Sequence, residues 1–218
     1  MLQDAEGNHC TSFPGFLLQL VQSVARLSNA NHETSPRGVL PNEEHRQSLL
    51  SLLDRAQSFD PFAWAASIQR RSLAKDLIPR THMASAHRAA VCIYLCRILL
   101  SLYPDTQIDI DLEDLAANTV DHLSRIGRDN ALFSATTWPT FVAGAEAHDE
   151  SRQLWVTRRF EDLWEVQPWG LIKGALSLLE SIWESRQKRP TNGFAEKPNR
   201  HTDWIRDMRE RGTDWLIL

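Results

Sequence analysis

The stretch THMASAHRAAVCIYLCRILLSLY, residues 81–103, decides the fold. Its apolar residues lie nearly all round a helical projection rather than on one side, which is typical of a helix that other helices enclose. The most apolar part, residues 89–103, is too short for a transmembrane span and is interrupted by Arg97. We therefore predict a central buried helix and no membrane segment.

Amphipathic helical patterns flank this segment on both sides. Residues 13–27 carry apolar side chains at steps of three and four, and Asn42 is placed to cap a helix whose buried face ends at Ala56. Residues 62–77 predict a further helix, which Pro79 ends. Later helices are predicted over residues 112–126, 138–147, 151–166, 168–187 and 203–211, with Asp111 capping the first of these and Asp149 or Ser151 capping the third.

The fold class that these patterns predict is all-α. Runs of alternating residues bounded by hairpin dipeptides are absent from the sequence. We predict one helical domain over residues 1–218, with eight or nine packed helices and two variable linkers at residues 28–41 and 186–202. A hydrophobic content of 42% and a charged content of 24% agree with a globular chain. The net charge of -4 makes nucleic-acid binding through the overall field a poor prospect.

The cysteines and histidines of the central helix are candidates for a metal site. The chain has three cysteines, an odd number that argues against a disulfide framework and for an intracellular, soluble protein. Cys92 and Cys96 share one helix face, where we expect them to pack as core thiols. His82 and His87 are five residues apart, which points their rings to different sides, and we expect both on the surface.

Other polar residues give no stronger evidence of a metal site or a catalytic site. The acidic residues at 105–114 lack the spacing of a calcium loop. His148 beside Asp149 would be a candidate general base, but helix capping accounts better for Asp149. The sequence contains no nucleophile elbow, Walker loop or dinucleotide fingerprint. We therefore predict no catalytic residue, no metal ligand and no cofactor.

Tryptophan is abundant, with eight residues in the chain, and several lie close together in its second half. Clustered large aromatic residues either fill a core between packed helices or line an apolar ligand cavity. The sequence leaves both interpretations open, and core packing is the simpler one. If a cavity exists, the candidate lining residues are Trp138, Phe141, Trp155, Trp164 and Trp183.

The segment TWPTFVAGAEA, residues 137–147, combines a helix start with a small-residue surface. Pro139 suits a first helical turn, and the glycine and alanines after residue 142 let another helix approach closely. This segment closely resembles a signature of the second fungal-specific transcription factor domain family, which lies C-terminal to a binuclear zinc cluster in fungal regulators. Further matches follow in the family's order: an Arg-rich helix at 152–164, LLESIW at 178–183, DWIRDM at 203–208 and the apolar end at 215–218. The resemblance covers residues 81–218 and is strongest over 131–218.

Two departures from the family pattern bear on function. The family's usual cysteine in the Ala-Gly-Cys-Glu-Ala segment is replaced by Ala145. The DNA-binding zinc cluster needs six clustered cysteines, and this chain has three that are widely scattered. The chain also looks shorter than a complete family domain. We expect no direct DNA binding by this chain.

The resemblance implies a regulatory module of a fungal transcription factor, located in the nucleus. Such a module senses an effector or contacts other proteins; an apolar small molecule and a homodimer or heterodimer with related regulators are the expected partners. The alternative is a stand-alone small-molecule-binding protein or an enzyme on the same scaffold, with His148 and His87 as the first catalytic suspects. A third interpretation is a DNA-binding-deficient partner that dimerises through residues 215–218.

Overall fold

The computed structural model describes residues 13–33, 43–70, 75–188, 204–210 and 212. Within these residues it contains nine α-helices, one short 3-10 helix and no strand. The helices are α1 Gly15–Glu33, α2 Glu43–Gln57, α3 Pro61–Gln69, α4 Leu77–Leu102, α5 Leu112–Ser124, α6 Thr137–Ala145, α7 Glu150–Val166, α8 Gly170–Lys188 and α9 Trp204–Glu210, with the 3-10 turn Phe133–Thr136 before α6. The predicted all-α class is confirmed.

The long helix α4 is the centre of the fold. Helices α1, α2, α3, α5, α6 and α9 all pack against it, whereas α7 and α8 pack against α6 and each other. By length and composition α4 is long and apolar enough to cross a membrane, but 89% of its most apolar window is buried by the surrounding helices. The predicted central buried helix is therefore confirmed, and it begins at Leu77, before the predicted start.

Two predicted helix starts are confirmed by their capping bonds. The Asp111 carboxylate accepts hydrogen bonds from the backbone N–H groups of Glu113 and Asp114, at 2.8 and 3.1 Å. The Asp149 carboxylate accepts one from the backbone N–H of Arg152 at 2.8 Å. Each bond satisfies a first-turn donor that has no partner inside its helix.

The prediction for residues 62–77 is wrong at its end. Helix α3 stops at Gln69, residues 71–74 lie outside the described part of the chain, and Pro79 falls in the first turn of α4 rather than ending a helix. Proline is tolerated there because the N–H groups of a first turn have no intrahelical acceptor.

Both predicted linkers begin later than expected. Helix α1 continues through residues 28–33, and Ser28, at 1% exposure, lies on its buried face. Helix α8 continues to Lys188, whose ammonium group pairs with Glu184 one turn earlier. Polar composition suggested loops, but a helix needs only one buried face to persist. The rest of each linker, and the predicted interface at 215–218, lie outside the described residues.

Candidate functional site

Helix α6 carries the small residues of the signature segment, and two other helices approach it closely there. A Cβ atom built on Gly144 would lie 2.8 Å from Cγ1 of Val156 on α7 and 2.9 Å from Cδ1 of Leu179 on α8. Both distances are shorter than real Cβ contacts allow, so glycine is what permits this three-helix contact. The predicted close approach of a helix to this surface is confirmed.

Side chains from α7 and α8 bind the carbonyl groups at the end of α6. The Trp183 indole N–H donates to the Gly144 carbonyl at 2.9 Å. The Arg186 guanidinium donates to the carbonyls of Ala145 and Ala147, the second at 3.3 Å, and the Gln153 amide donates to Ala147 at 3.2 Å. Side-chain donors thus satisfy the carbonyls of Ala145 and Ala147 at this helix end, whereas the Gly144 carbonyl also accepts a backbone hydrogen bond from Ala147 at 3.1 Å. We call residues 143–147 the hub segment.

Glu146 is the charged residue of the hub segment, and it is only 1% exposed. Its Oε1 atom accepts hydrogen bonds from Arg97 Nε on α4 at 2.6 Å and from Trp204 Nε1 on α9 at 2.7 Å, while its Oε2 atom pairs with Arg97 Nη2. Trp204 is fully buried and packs edge-on against Phe141, with ring centroids 5.9 Å apart. One buried carboxylate therefore joins the central helix to the last described helix.

The position of the family's usual cysteine is part of the same core. Ala145 is fully buried, and its carbonyl accepts a hydrogen bond from Arg186. A side chain at this position packs against neighbouring helices, so the replacement by alanine changes the core of the hub segment rather than an exposed reactive group.

An open pocket of about 500 Å³ lies beside the hub segment, between the start of α7 and the end of α8. Its lining residues are His148, Glu150, Gln153, Trp183, Arg186 and Gln187. Three of them, Gln153, Trp183 and Arg186, are the same side chains that bind the hub carbonyls. A molecule in this pocket would contact groups that hold the hub segment in place.

His148 is exposed at the edge of this pocket. Its pKa is lowered, first because the neighbouring helices partly desolvate the ring and second because the Arg186 guanidinium disfavours a second positive charge; Glu146 and Glu113 oppose this in part. The imidazole is therefore neutral at neutral pH and presents one donor and one acceptor nitrogen.

The five residues predicted to line a cavity are not gathered around this pocket. Trp183 borders it, and Phe141 packs on Trp204 instead. The remaining three have other neighbours: Trp138 packs on Phe13 and His87, Trp155 lies beside Arg159, and Trp164 lies under the Lys173 ammonium group. Core packing, the simpler of the two interpretations, describes the buried Phe141 and Trp183.

The prediction of surface histidines is wrong for His87. Its side chain is 1% exposed, its Nδ1 donates to the Met83 carbonyl at 2.9 Å, and burial lowers its pKa to about 4. The reason is that nearly every residue of α4 from Met83 to Leu99 is buried, whatever side of the helix it lies on, so His87 has no exposed face to occupy. His82 is half-buried, with Nδ1 only 3.0 Å from Nδ1 of His122.

The core thiols are where the sequence predicted them. Cys92 and Cys96 are both buried, and burial raises their pKa values to about 11 and about 12. In the part of the chain that the structure describes, no three histidine, cysteine or acidic side chains come together as a metal site would require.

Sequence reasoning missed the pairing of Arg97, Glu146 and Trp204. Arg97 was noted only as an interruption in an apolar run, and Glu146 only as a letter of the signature segment. Since an isolated buried charge is strongly unfavourable, one buried cation and one buried anion in the same core would have suggested a pair. Their separation of 49 residues hid it.

A family model described as the fungal specific transcription factor domain matches residues 5–218. Acriflavine sensitivity control protein acr-2 of Neurospora crassa is 28% identical over 225 residues, which cover 100% of this chain and 36% of that relative. The chain thus spans about a third of the relative's length. No solved structure matches this chain.

Proposed function

Because the chain belongs to the fungal specific transcription factor domain family, we propose that it is an effector-responsive regulatory module of a fungal transcription regulator and acts in the nucleus. The family membership gives it a role in transcription regulation. The finer proposal is that a small molecule in the pocket beside the hub segment sets its regulatory state.

The observation that carries the proposal is the sharing of side chains between the pocket and the hub segment. Arg186 lines the pocket and donates to two hub carbonyls, and Gln153 and Trp183 do the same for one carbonyl each. A ligand that accepts hydrogen bonds from these side chains competes with the hub carbonyls for the same donors. Such differential contact is what lets a ligand favour one of two conformations.

The element that would respond is α9. The indole N–H of Trp204 donates to the carboxylate of Glu146. In the sequence, Glu146 stands between Ala145 and Ala147, the two residues whose carbonyls Arg186 binds. A change in the bonds of Arg186 therefore acts on residues directly adjacent to Glu146 in the chain. We expect the packing of α9 against α4 to change when the pocket is occupied.

No observation in the described residues favours the enzyme alternative, and we propose a non-catalytic role. His87, one of the two candidate catalytic residues, lies in the core and donates to a backbone carbonyl. His148 borders the pocket, where a role in effector binding explains it equally well. Dimerisation with related regulators stays a prediction.

A reporter experiment tests this function. The full chain is fused to a heterologous DNA-binding domain in a fungal host, and reporter output is compared with that of the DNA-binding domain alone at equal protein level. We expect the fusion to change the output, and Arg186→Gln and Trp204→Phe to shift it in a common direction. Lys188→Gln is the matched control, because Lys188 is an exposed cation on the same helix and its ammonium group pairs with Glu184.

Two results would contradict the proposal. One is a fusion that gives the same output as the DNA-binding domain alone, since a regulatory module must alter transcription. The other is an Arg186→Gln variant that behaves like Lys188→Gln, because the link between pocket and hub segment would then have no regulatory consequence.

A further inference from the structure

The chemistry of the pocket beside the hub segment restricts what it can bind, and this inference rests on the proposed function. Five of its six lining residues are polar: His148, Glu150, Gln153, Arg186 and Gln187. The remaining one, Trp183, is itself buried in the core. Ligand sites of about 300–1,000 Å³ usually have mostly apolar walls with a few polar groups. This pocket has the size of such a site, but its lining residues are mostly polar.

Donors outnumber acids in the lining. Arg186 contributes a guanidinium, Gln153 and Gln187 contribute amides, and His148 contributes an imidazole. The hydrogen-bond acceptors of Arg186 in the hub segment are the neutral carbonyl groups of Ala145 and Ala147. Glu150 is the one acidic residue in the lining, and it is exposed in the first turn of α7.

The positive potential of Arg186 reaches the pocket edge. The pKa of His148 is lowered first by partial desolvation and then by the Arg186 guanidinium; Arg97 acts in the same direction, whereas Glu146 and Glu113 raise the pKa. Placing a negative group between Arg186 and His148 would reverse that effect and favour the imidazolium form, because an opposite charge stabilises a cation. Anion binding at this position is therefore linked to proton uptake.

We propose that the pocket binds a water-soluble organic acid, with a carboxylate group beside Arg186 and His148, rather than the apolar effector that the family resemblance implied. A carboxylate competes directly with the carbonyls of Ala145 and Ala147 for Arg186, because a hydrogen bond to an ionised acceptor is stronger than one to a neutral carbonyl. Binding thereby loosens the hold of α8 on the hub segment.

Thermal unfolding of the full chain tests the inference, with acetate, succinate and citrate as probes and succinamide as the uncharged counterpart of succinate. We expect at least one carboxylate to raise Tm, by about 4 °C at ten times its Kd, and succinamide to leave Tm unchanged. The rise is expected to be larger at pH 6 than at pH 8, since binding favours protonated His148.

Three variants locate the binding site. Arg186→Gln is expected to abolish the carboxylate effect and Lys188→Gln to retain it. Because Arg186 also binds the hub carbonyls, its replacement could change the fold as well as the pocket. Glu150→Gln leaves Arg186 in place, and removing this exposed acid is expected to tighten carboxylate binding severalfold. A general salt effect would raise Tm equally in all variants.

The possible outcomes separate this inference from the proposed function. Succinamide and succinate could stabilise the protein equally, and both effects could be lost in Arg186→Gln. This result would support an effector pocket at Arg186 but would overturn the proposed preference for carboxylates. Carboxylate effects that are the same in Arg186→Gln and Lys188→Gln, or no stabilisation by any carboxylate, would overturn the inference. The reporter experiment decides the proposed function independently of these probes.

Discussion

Replacing Gly144 by alanine tests whether the close contact of α6, α7 and α8 determines the stability of the fold. The new methyl group would lie 2.8 Å from Cγ1 of Val156 and 2.9 Å from Cδ1 of Leu179. Both neighbours are fully buried, so neither side chain can turn toward solvent. Val156 is also β-branched, which restricts its χ1 rotamers.

Two effects of opposite sign decide the magnitude. Alanine is favoured over glycine inside a helix by up to about 1 kcal/mol. Inserting a methyl group into a packed core costs about 1–3 kcal/mol. For Gly144→Ala the second effect is larger, and we expect a net loss of about 1–2 kcal/mol in the free energy of unfolding. In a chain of this size that corresponds to a Tm decrease of about 2–8 °C.

Gly174 provides a matched control on α8. It is exposed, it lies inside a helix, and a Cβ built on it meets no atom within 4 Å. Gly174→Ala should therefore be stabilised by about 0.5–1 kcal/mol through helix propensity alone. Urea unfolding followed by far-ultraviolet circular dichroism measures both variants. If Gly144→Ala proves as stable as Gly174→Ala, the tight contact does not limit this core and the reasoning fails.

The remaining predictions concern buried polar groups. Removing one member of the buried ion pair, as in Arg97→Met or Glu146→Gln, should lower the free energy of unfolding by about 3–5 kcal/mol, and the double variant should lose less than the sum of the two in urea titrations. His87 has a folded pKa of about 4, below its unfolded value, so stability should fall as pH decreases from 6.5 towards 4; urea midpoints should show this, and His87→Gln should reduce the slope. Cys92 and Cys96 should not react with a thiol reagent at pH 8 in a variant that keeps only these two cysteines, until urea unfolds it; fast labelling of the native protein would refute their burial.

The helices could be predicted from the sequence where local patterns decide them. The apolar character all round residues 81–103 predicted the central helix because no other arrangement buries so much apolar surface. Asp111 and Asp149 marked helix starts because a cap acts on N–H groups two or three residues away. Helix periodicity and capping depend on residues that are only a few positions apart in the sequence.

The errors arose where tertiary packing overrides local preference. Ser28 and its neighbours have loop-like composition, yet the buried face of α1 keeps them helical. Pro79 was interpreted as a helix end, although a proline in a first turn and one after a last turn look alike when the boundary is unknown. His87 was placed on the surface because a polar side chain alone does not show that every side of its helix is covered.

The site is harder to predict than the fold, because its groups come from distant parts of the chain. The small residues of the hub segment indicated a close approach, but Val156 and Leu179, the residues that fill it, follow only from the packing of α7 and α8. Likewise Trp204 meets Glu146 across 58 residues, and no periodicity connects them. The aromatic residues left core packing and an apolar cavity both open and did not indicate the pocket that the polar ends of helices α7 and α8 line.

The buried ion pair between Arg97 of α4 and Glu146 of the hub segment bears on the proposed regulatory role. An intact buried pair adds little net stability, because the cost of removing both charges from water offsets their attraction. Breaking it is costly, since the remaining charge stays buried without a partner. Arg97 and Trp204 donate to the same carboxylate oxygen of Glu146, so a shift of the hub segment alters the contacts of both α4 and α9. In the regulatory proposal, a displacement at Arg186 would act on α9 through this buried pair, because packed interfaces respond to small shifts by moving between discrete arrangements.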